Sequence, residues 1–188
     1  MKNKTKQNVV RFALTIISKD RPGIVADTTE VLYRLGCNIE DSSCTMLGGD
    51  FAIILIVSHE KPFSASVLKD AFREMHDRTG ITVQLRLLHD DEITASDNGR
   101  ELCVISVYGS DKPGIVYKVT RAIADMKINI TDLNTRLVGT EEEPVYVLML
   151  EAVLLPKVSL DDVSKLLEKL KKELEVEIGV RIITPVAL

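Results

Sequence analysis

Asp20-Arg21-Pro22-Gly23-Ile24-Val25 returns as Asp111-Lys112-Pro113-Gly114-Ile115-Val116, 91 residues further along the chain. Asn38-Ile39 returns as Asn129-Ile130 and Asp41 as Asp132, both in the same register. One shared hexapeptide is weak. Three matches at one offset mean two copies of one domain, and that repeat decides how every other stretch is read.

Each copy carries the same succession of patterns. Val9 to Ile17 and Leu102 to Tyr108 are strand-like, rich in Val, Ile and aromatic residues. The Asp-x-Pro-Gly turn follows and leads into a helix. Ile24, Val25, Thr28, Val31, Leu32 and Leu35 form its apolar stripe, matched by Ile115, Val116, Val119, Ala122, Ile123 and Met126. Gly36 stands where a left-handed helix stop belongs. Lys127 takes that place in the second copy and predicts a different stop there. Asn38 to Met46 alternates polar and apolar, and Phe51 to Val57 is an apolar run suited to a central strand. Leu47 to Asp50 joins them as a hairpin, which in the second copy lengthens into Gly139 to Pro144 with three glutamates. A second amphipathic helix follows, Ala65 to Thr79 and Leu160 to Leu174, the latter opened by a Ser159/Asp162 capping box. Thr82 to Leu88 and Val176 to Ile183 close the copies as strands. The expected class is α+β: two tandem ferredoxin-like βαββαβ domains, each an antiparallel sheet with its helices on one face. Their bounds are residues 1–88 and 101–188, joined by a polar linker, 89–100.

Composition excludes several functions. Charged residues make up 28% and apolar ones 45%, ordinary for a globular chain, and the formal net charge of −4 argues against a nucleic-acid surface. With 4% aromatics and no Trp there is little from which to build base-stacking platforms. No run approaches the ~20 apolar residues of a membrane span. Cys37, Cys44 and Cys103 read as reduced thiols, and the chain as cytoplasmic. Cys37 and Cys44, seven apart, would face opposite sides of one strand. His59, His76 and His89 have no metal-ligand spacing, and no phosphate loop or catalytic triad order is present. Neither metal, cofactor nor enzymatic activity is expected. The halves carry +2 and −3, which weakly favours their association.

The candidate chemistry lies at the turn. A Pro in the first helical turn loses no hydrogen bond, and Gly exposes the unpaired N–H groups of the helix start. Those groups and the helix dipole suit a carboxylate. Asp20 and Asp111 can accept from an ammonium group, and Asn38 and Asn129 both donate and accept. Together these describe an α-amino-acid site. Taken without more, they read first as a helix cap, a shaped turn and a strand entry. Turn and Asn stand at opposite ends of one helix, so one copy cannot bring both to one ligand, whereas two copies could.

Asp20 to Val25, followed by Gly36-Cys37-Asn38-Ile39-Glu40-Asp41-Ser42 and Met46-Leu47-Gly48, resembles the ACT domain, a small regulatory module that binds amino acids. The tandem arrangement is similar to regulators built of ACT domains alone. The resemblance implies ligands held between two domains, the turn of one facing the second strand of the other. Matched residue by residue, the ligand-binding positions are Ser18, Asp20, Pro22, Gly23, Ile24, Asn38, Ile39 and Asp41 in the first copy. In the second they are Asp111, Pro113, Gly114, Ile115, Asn129, Ile130 and Asp132, with Gly109 in place of Ser18. The ligand so implied is a small amino acid, glycine foremost. The expected partner is a DNA-binding regulatory protein, with no direct contact to nucleic acid or membrane, and a homodimer is compatible. The competing reading is a ligand-independent interaction or dimerisation module that docks on a metabolic enzyme or regulator, its turns purely structural.

Overall fold

β1 (Val10–Lys19), α1 (Ile24–Arg34), β2 (Asn38–Leu47), β3 (Asp50–His59), α2 (Ala65–Thr79) and β4 (Thr82–Leu88) succeed one another in the first half. The second half repeats them as β5 (Leu102–Gly109), α3 (Ile115–Asp125), β6 (Asn129–Gly139), β7 (Pro144–Val153), α4 (Leu160–Leu174) and β8 (Glu177–Ile183). The computed structural model describes residues 9–60, 62–89, 92, 101–156 and 158–183. The chain divides into two units, Met1–Ser96 and Asp97–Leu188. Of the linker assigned to residues 89–100, only His89 and Glu92 are described, and Glu92 is bonded back to Arg86 and to the His89 amide. The remainder lies outside the described residues.

Each sheet has four antiparallel strands, in the orders β2-β3-β1-β4 and β6-β7-β5-β8. Alternation along the central strands sets the two faces. Phe12, Leu14 and Ile16 of β1 lie opposite Val57, Leu55 and Ile53 of β3, and all six are buried. Helices supply the other half of each core: Ile24, Leu32, Leu68, Phe72 and Met75 in the first unit, Ile115, Val119, Ile123, Val163 and Leu167 in the second. Val25, counted in the apolar stripe, is 45% exposed. The edge strand β2 departs further from its pattern. It is exposed along its whole length on both faces, because nothing in the unit covers it. A bulge between Ile39 and Asp41, repeated between Ile130 and Asp132, interrupts its alternation. Cys37 precedes that strand, so the expected opposition of Cys37 and Cys44 across it does not arise.

Two local expectations need correction. Pro22 and Pro113 are not in the first helical turn. The N-caps are Gly23 and Gly114, at φ 91° and 98°, and the prolines precede them. Nor does α3 stop differently from α1. Gly36 at φ 70° and Lys127 at φ 59° both adopt the left-handed conformation. Both ends close with the same pair of bonds, Cys37 N to Leu32 O and Gly36 N to Tyr33 O, matched by Ile128 N to Ile123 O and Lys127 N to Ala124 O. The buried pairing of Ile128 with the core holds the lysine in a conformation that costs an L-residue energy.

Candidate functional site

A left-handed glycine at the N-cap shapes the turn. No side chain caps either helix start, since Gly23 and Gly114 have none to offer. Asp20, the alternative cap, is exposed, and its amide donates to Gly49 O at 3.0 Å, tying the turn to the β2–β3 hairpin. Arg21 spans the turn, with Nη2 on Asp27 Oδ2 at 2.6 Å and Nη1 on the Pro22 carbonyl at 3.1 Å. Its counterpart Lys112 instead reaches Glu175, at the far end of α4. Ser18 donates its hydroxyl to the neighbouring Lys19 carbonyl. Gly109 has a steric reason to lack that hydroxyl: a Cβ there would stand 2.7 Å from Val176 Cγ1.

Asn38 lies at the opposite end of α1. It pairs with Ser58, whereas the turn end of the sheet pairs Leu47 with Asp50. The sheet thus brings Ser18, Asp20, Pro22, Gly23 and Ile24 to one end and Asn38, Ile39 and Asp41 toward the other. Ile24 is buried and packs in the core, so it supports the turn rather than lining it. Ile115 does the same in the second unit. Pro113, Gly114 and Asp111 are exposed at that turn, and Asn129 and Asp132 are exposed along β6. Asp41 Oδ1 accepts from the Ser42 amide at 2.8 Å, and Asp132 Oδ2 from Asn134 Nδ2 at 2.6 Å. Ile130 is half-buried and packs against its core.

The Asn38 end opens a cleft of about 560 Å³ lined by Val9, Arg11, Gly36, Asn38, Glu40, Ser58, His59 and Glu60. Arg11 Nε donates to Glu40 Oε2 at 2.7 Å, and the Ser58 hydroxyl also bonds that carboxylate. The bond from Arg11 foremost holds the Glu40 carboxyl below its ordinary pKa. The His59 ring stacks on Phe63, their centroids 4.5 Å apart. Of these residues only Asn38 is among the expected ligand-binding positions. Arg11, Glu40, Ser58 and His59 were missed because strand register, not a motif, assembles them. A second, more apolar cleft between α2 and β4, lined by Leu68, Phe72 and Val83, contains none of the expected positions. Burial raises the pKa of Cys37, and of Cys103 in the core, so neither is an activated thiolate. Among the described residues no group of three or more His, Cys, Asp or Glu could hold a metal ion, and no helix is long and apolar enough to cross a membrane.

Comparison with known proteins bears directly on this duplicated architecture. The ACT domain family model matches residues 11–86 and again 101–181. The chain is a tandem ACT-domain regulatory protein. A UPF0237 protein of Methanopyrus kandleri is 34% identical over 84 residues, covering 44% of this chain and 91% of that relative. The glycine cleavage system transcriptional repressor of Escherichia coli is 45% identical over 47 residues, 25% of each protein. Among solved structures, a protein of unknown function from Galdieria sulphuraria superposes with TM-score 0.82 at 23% identity, over 94% of this chain and 99% of that one. A protein provisionally described as a glycine cleavage system transcriptional repressor gives 0.71 at 19% identity, over 95% and 99%. At such identities these two structures speak for the fold of the tandem ACT protein.

Proposed function

We propose that this tandem ACT protein is a non-enzymatic amino-acid sensor. Its ligand-binding positions are Ser18, Asp20, Pro22, Gly23, Asn38, Ile39 and Asp41, with Asp111, Pro113, Gly114, Asn129, Ile130 and Asp132, while the buried Ile24 and Ile115 support the turns from the core. The observation that carries the reading is the duplicated helix start with a glycine N-cap and no capping side chain. It presents N–H groups and the positive helix end to a carboxylate, beside an exposed aspartate suited to an ammonium group. Turn and Asn occupy opposite ends of α1, so each is a separate point of contact for a ligand. Ligand binding then shifts the population of the form that a partner protein reads.

Glycine is the leading ligand and a DNA-binding regulator the leading partner. Support comes from the likeness of one quarter of the chain to the glycine cleavage system transcriptional repressor. The three free thiols fit a cytoplasmic protein.

Thermal unfolding against the twenty amino acids at millimolar concentration tests the reading. A ligand at 100 times its Kd stabilises by about 2.7 kcal/mol, which displaces the midpoint visibly. Displacement by glycine or a few small amino acids alone is the expected result. No displacement by any of them would favour the second reading, a ligand-independent module docking on an enzyme or regulator. The length of β2 left uncovered on both faces is the observation on that side.

A further inference from the structure

The cleft between α2 and β4 lies at an edge of the first sheet, and none of the turn or asparagine positions lines it. Its volume is about 320 Å³, enough for a small organic molecule. Half-buried Val83 and Leu85 of β4 form an apolar floor, and buried Leu68 and Phe72 of α2 form the wall beside it. The rim is positive. Lys69 and Arg73, one turn apart on α2, both line the cleft and are exposed, and no carboxylate lines it. Lys69 has no partner among the described residues. Arg73 Nη2 stands 3.2 Å from Asp70 Oδ1, but both side chains are well exposed, so the pair is weak and leaves the other guanidinium N–H groups free. His76 Nδ1 is bonded to the Ile81 carbonyl, which ties the end of α2 to the entry of β4 and shapes the cleft before anything enters it.

The second domain carries no such rim. Ser164, Glu168 and Glu177 hold the positions of Lys69, Arg73 and Thr82. Glu177 pairs at 2.6 Å with Lys171, which matches His76. The other lysines of α4, Lys165, Lys169 and Lys172, match Asp70, Glu74 and Asp77, none of which lines the first-domain cleft.

We propose that the α2–β4 cleft of the first domain, and not its counterpart in the second, binds a small apolar carboxylate: a hydrocarbon chain or ring with one carboxylate end. The proposal goes beyond the sensor reading and does not depend on it. The hydrocarbon leaves water for the surface of Val83, Leu85, Leu68 and Phe72. The carboxylate stays at the exposed rim, where charge-assisted bonds from Lys69 and Arg73 hold it without the cost of burying a charge. An ammonium end would meet two like charges there. Burial therefore sets the affinity, and the rim sets the sign of the ligand.

NMR chemical-shift titration of the isotope-labelled full chain tests this, with octanoate, 3-phenylpropanoate, octylamine and glycine as probes. Both carboxylates should shift the Val83 and Leu85 signals saturably and leave their second-domain counterparts, Ile178 and Val180, in place. Octylamine should bind at Val83 and Leu85 at least about tenfold more weakly than octanoate. Replacing both rim cations, Lys69→Glu with Arg73→Glu, alters only exposed side chains, so the core stays intact, and should invert that order. No saturable shift at Val83 and Leu85, equal affinity for octanoate and octylamine, or an order untouched by the charge reversal would each overturn the proposal. Equal shifts at Ile178 and Val180 would overturn its restriction to the first domain. Glycine should leave the cleft signals unmoved, and its effect at the turns and asparagines reports on the sensor reading separately.

Discussion

Glu40 shows how much a single side chain at a bulge can carry. The Arg11 bond, aided by the Ser58 hydroxyl, lowers its pKa in the folded state. The unfolded chain therefore binds more protons over the window between the lowered and the ordinary value, and stability rises with pH across it. The contribution is complete above the ordinary glutamate pKa and lost as pH falls through the lowered one. Urea melts from neutral to acid pH should show unaltered protein exceeding Glu40→Gln by a margin that shrinks on acidification. A margin independent of pH would reject the assignment. None of this was legible in the linear sequence. Arg11 and Glu40 are 29 residues apart, and only the bulge and the strand register bring them together. Yet a signal was present: aligned on the repeat, Arg11 faces Leu102, and Glu40 faces Thr131.

At the scale of elements, patterns tied to burial were readable and patterns tied to exposure were not. Both second helices, Ala65–Thr79 and Leu160–Leu174, have the bounds their apolar spacing predicts, and the Ser159–Asp162 box is formed. β2 reads as half-buried because Ile39, Cys44 and Met46 punctuate polar residues, but the covering layer that would bury them is not in its own domain. Helix stops were legible as glycines and misread where glycine is absent. The first domain ends its helices with Gly36 and Gly80 in the left-handed region, and the second does so with Lys127 and Glu175. The conformation is dictated by the turn, not by the residue, so the second domain carries strain at both stops. Lys127→Gly should relieve one of them, stabilising by about 0.5–1 kcal/mol after allowance for the freer unfolded chain. For a domain of this size that raises the unfolding midpoint by a few degrees, roughly 2–8 °C. An unchanged or lowered midpoint in differential scanning calorimetry would mean that the lysine side chain repays its backbone.

Over the whole molecule the repeat made the fold legible, because each weak local pattern was tested a second time 91 residues on or slightly beyond. Of the proposed site, the sequence points to the turns and asparagines that the two copies share. The polar linker expected from composition at residues 89–100 carries its own prediction. Mild trypsin treatment should cut first at Arg100, leaving two resistant pieces of about half the mass each, read by mass spectrometry. Early cleavage within either unit, for example at Arg34 or Arg136, would reject that boundary.

Gly109 ends on a matter of history. Whichever residue the ancestral domain carried at this position before duplication, the space a side chain would need is now held by Val176, 2.7 Å from where a Cβ would be. A serine placed there by one substitution collides with Val176, and a second change at that residue, just before β8, would relieve the clash. The duplicate has closed a door behind it. At this position a swap of residues between the two halves takes two coordinated changes rather than one.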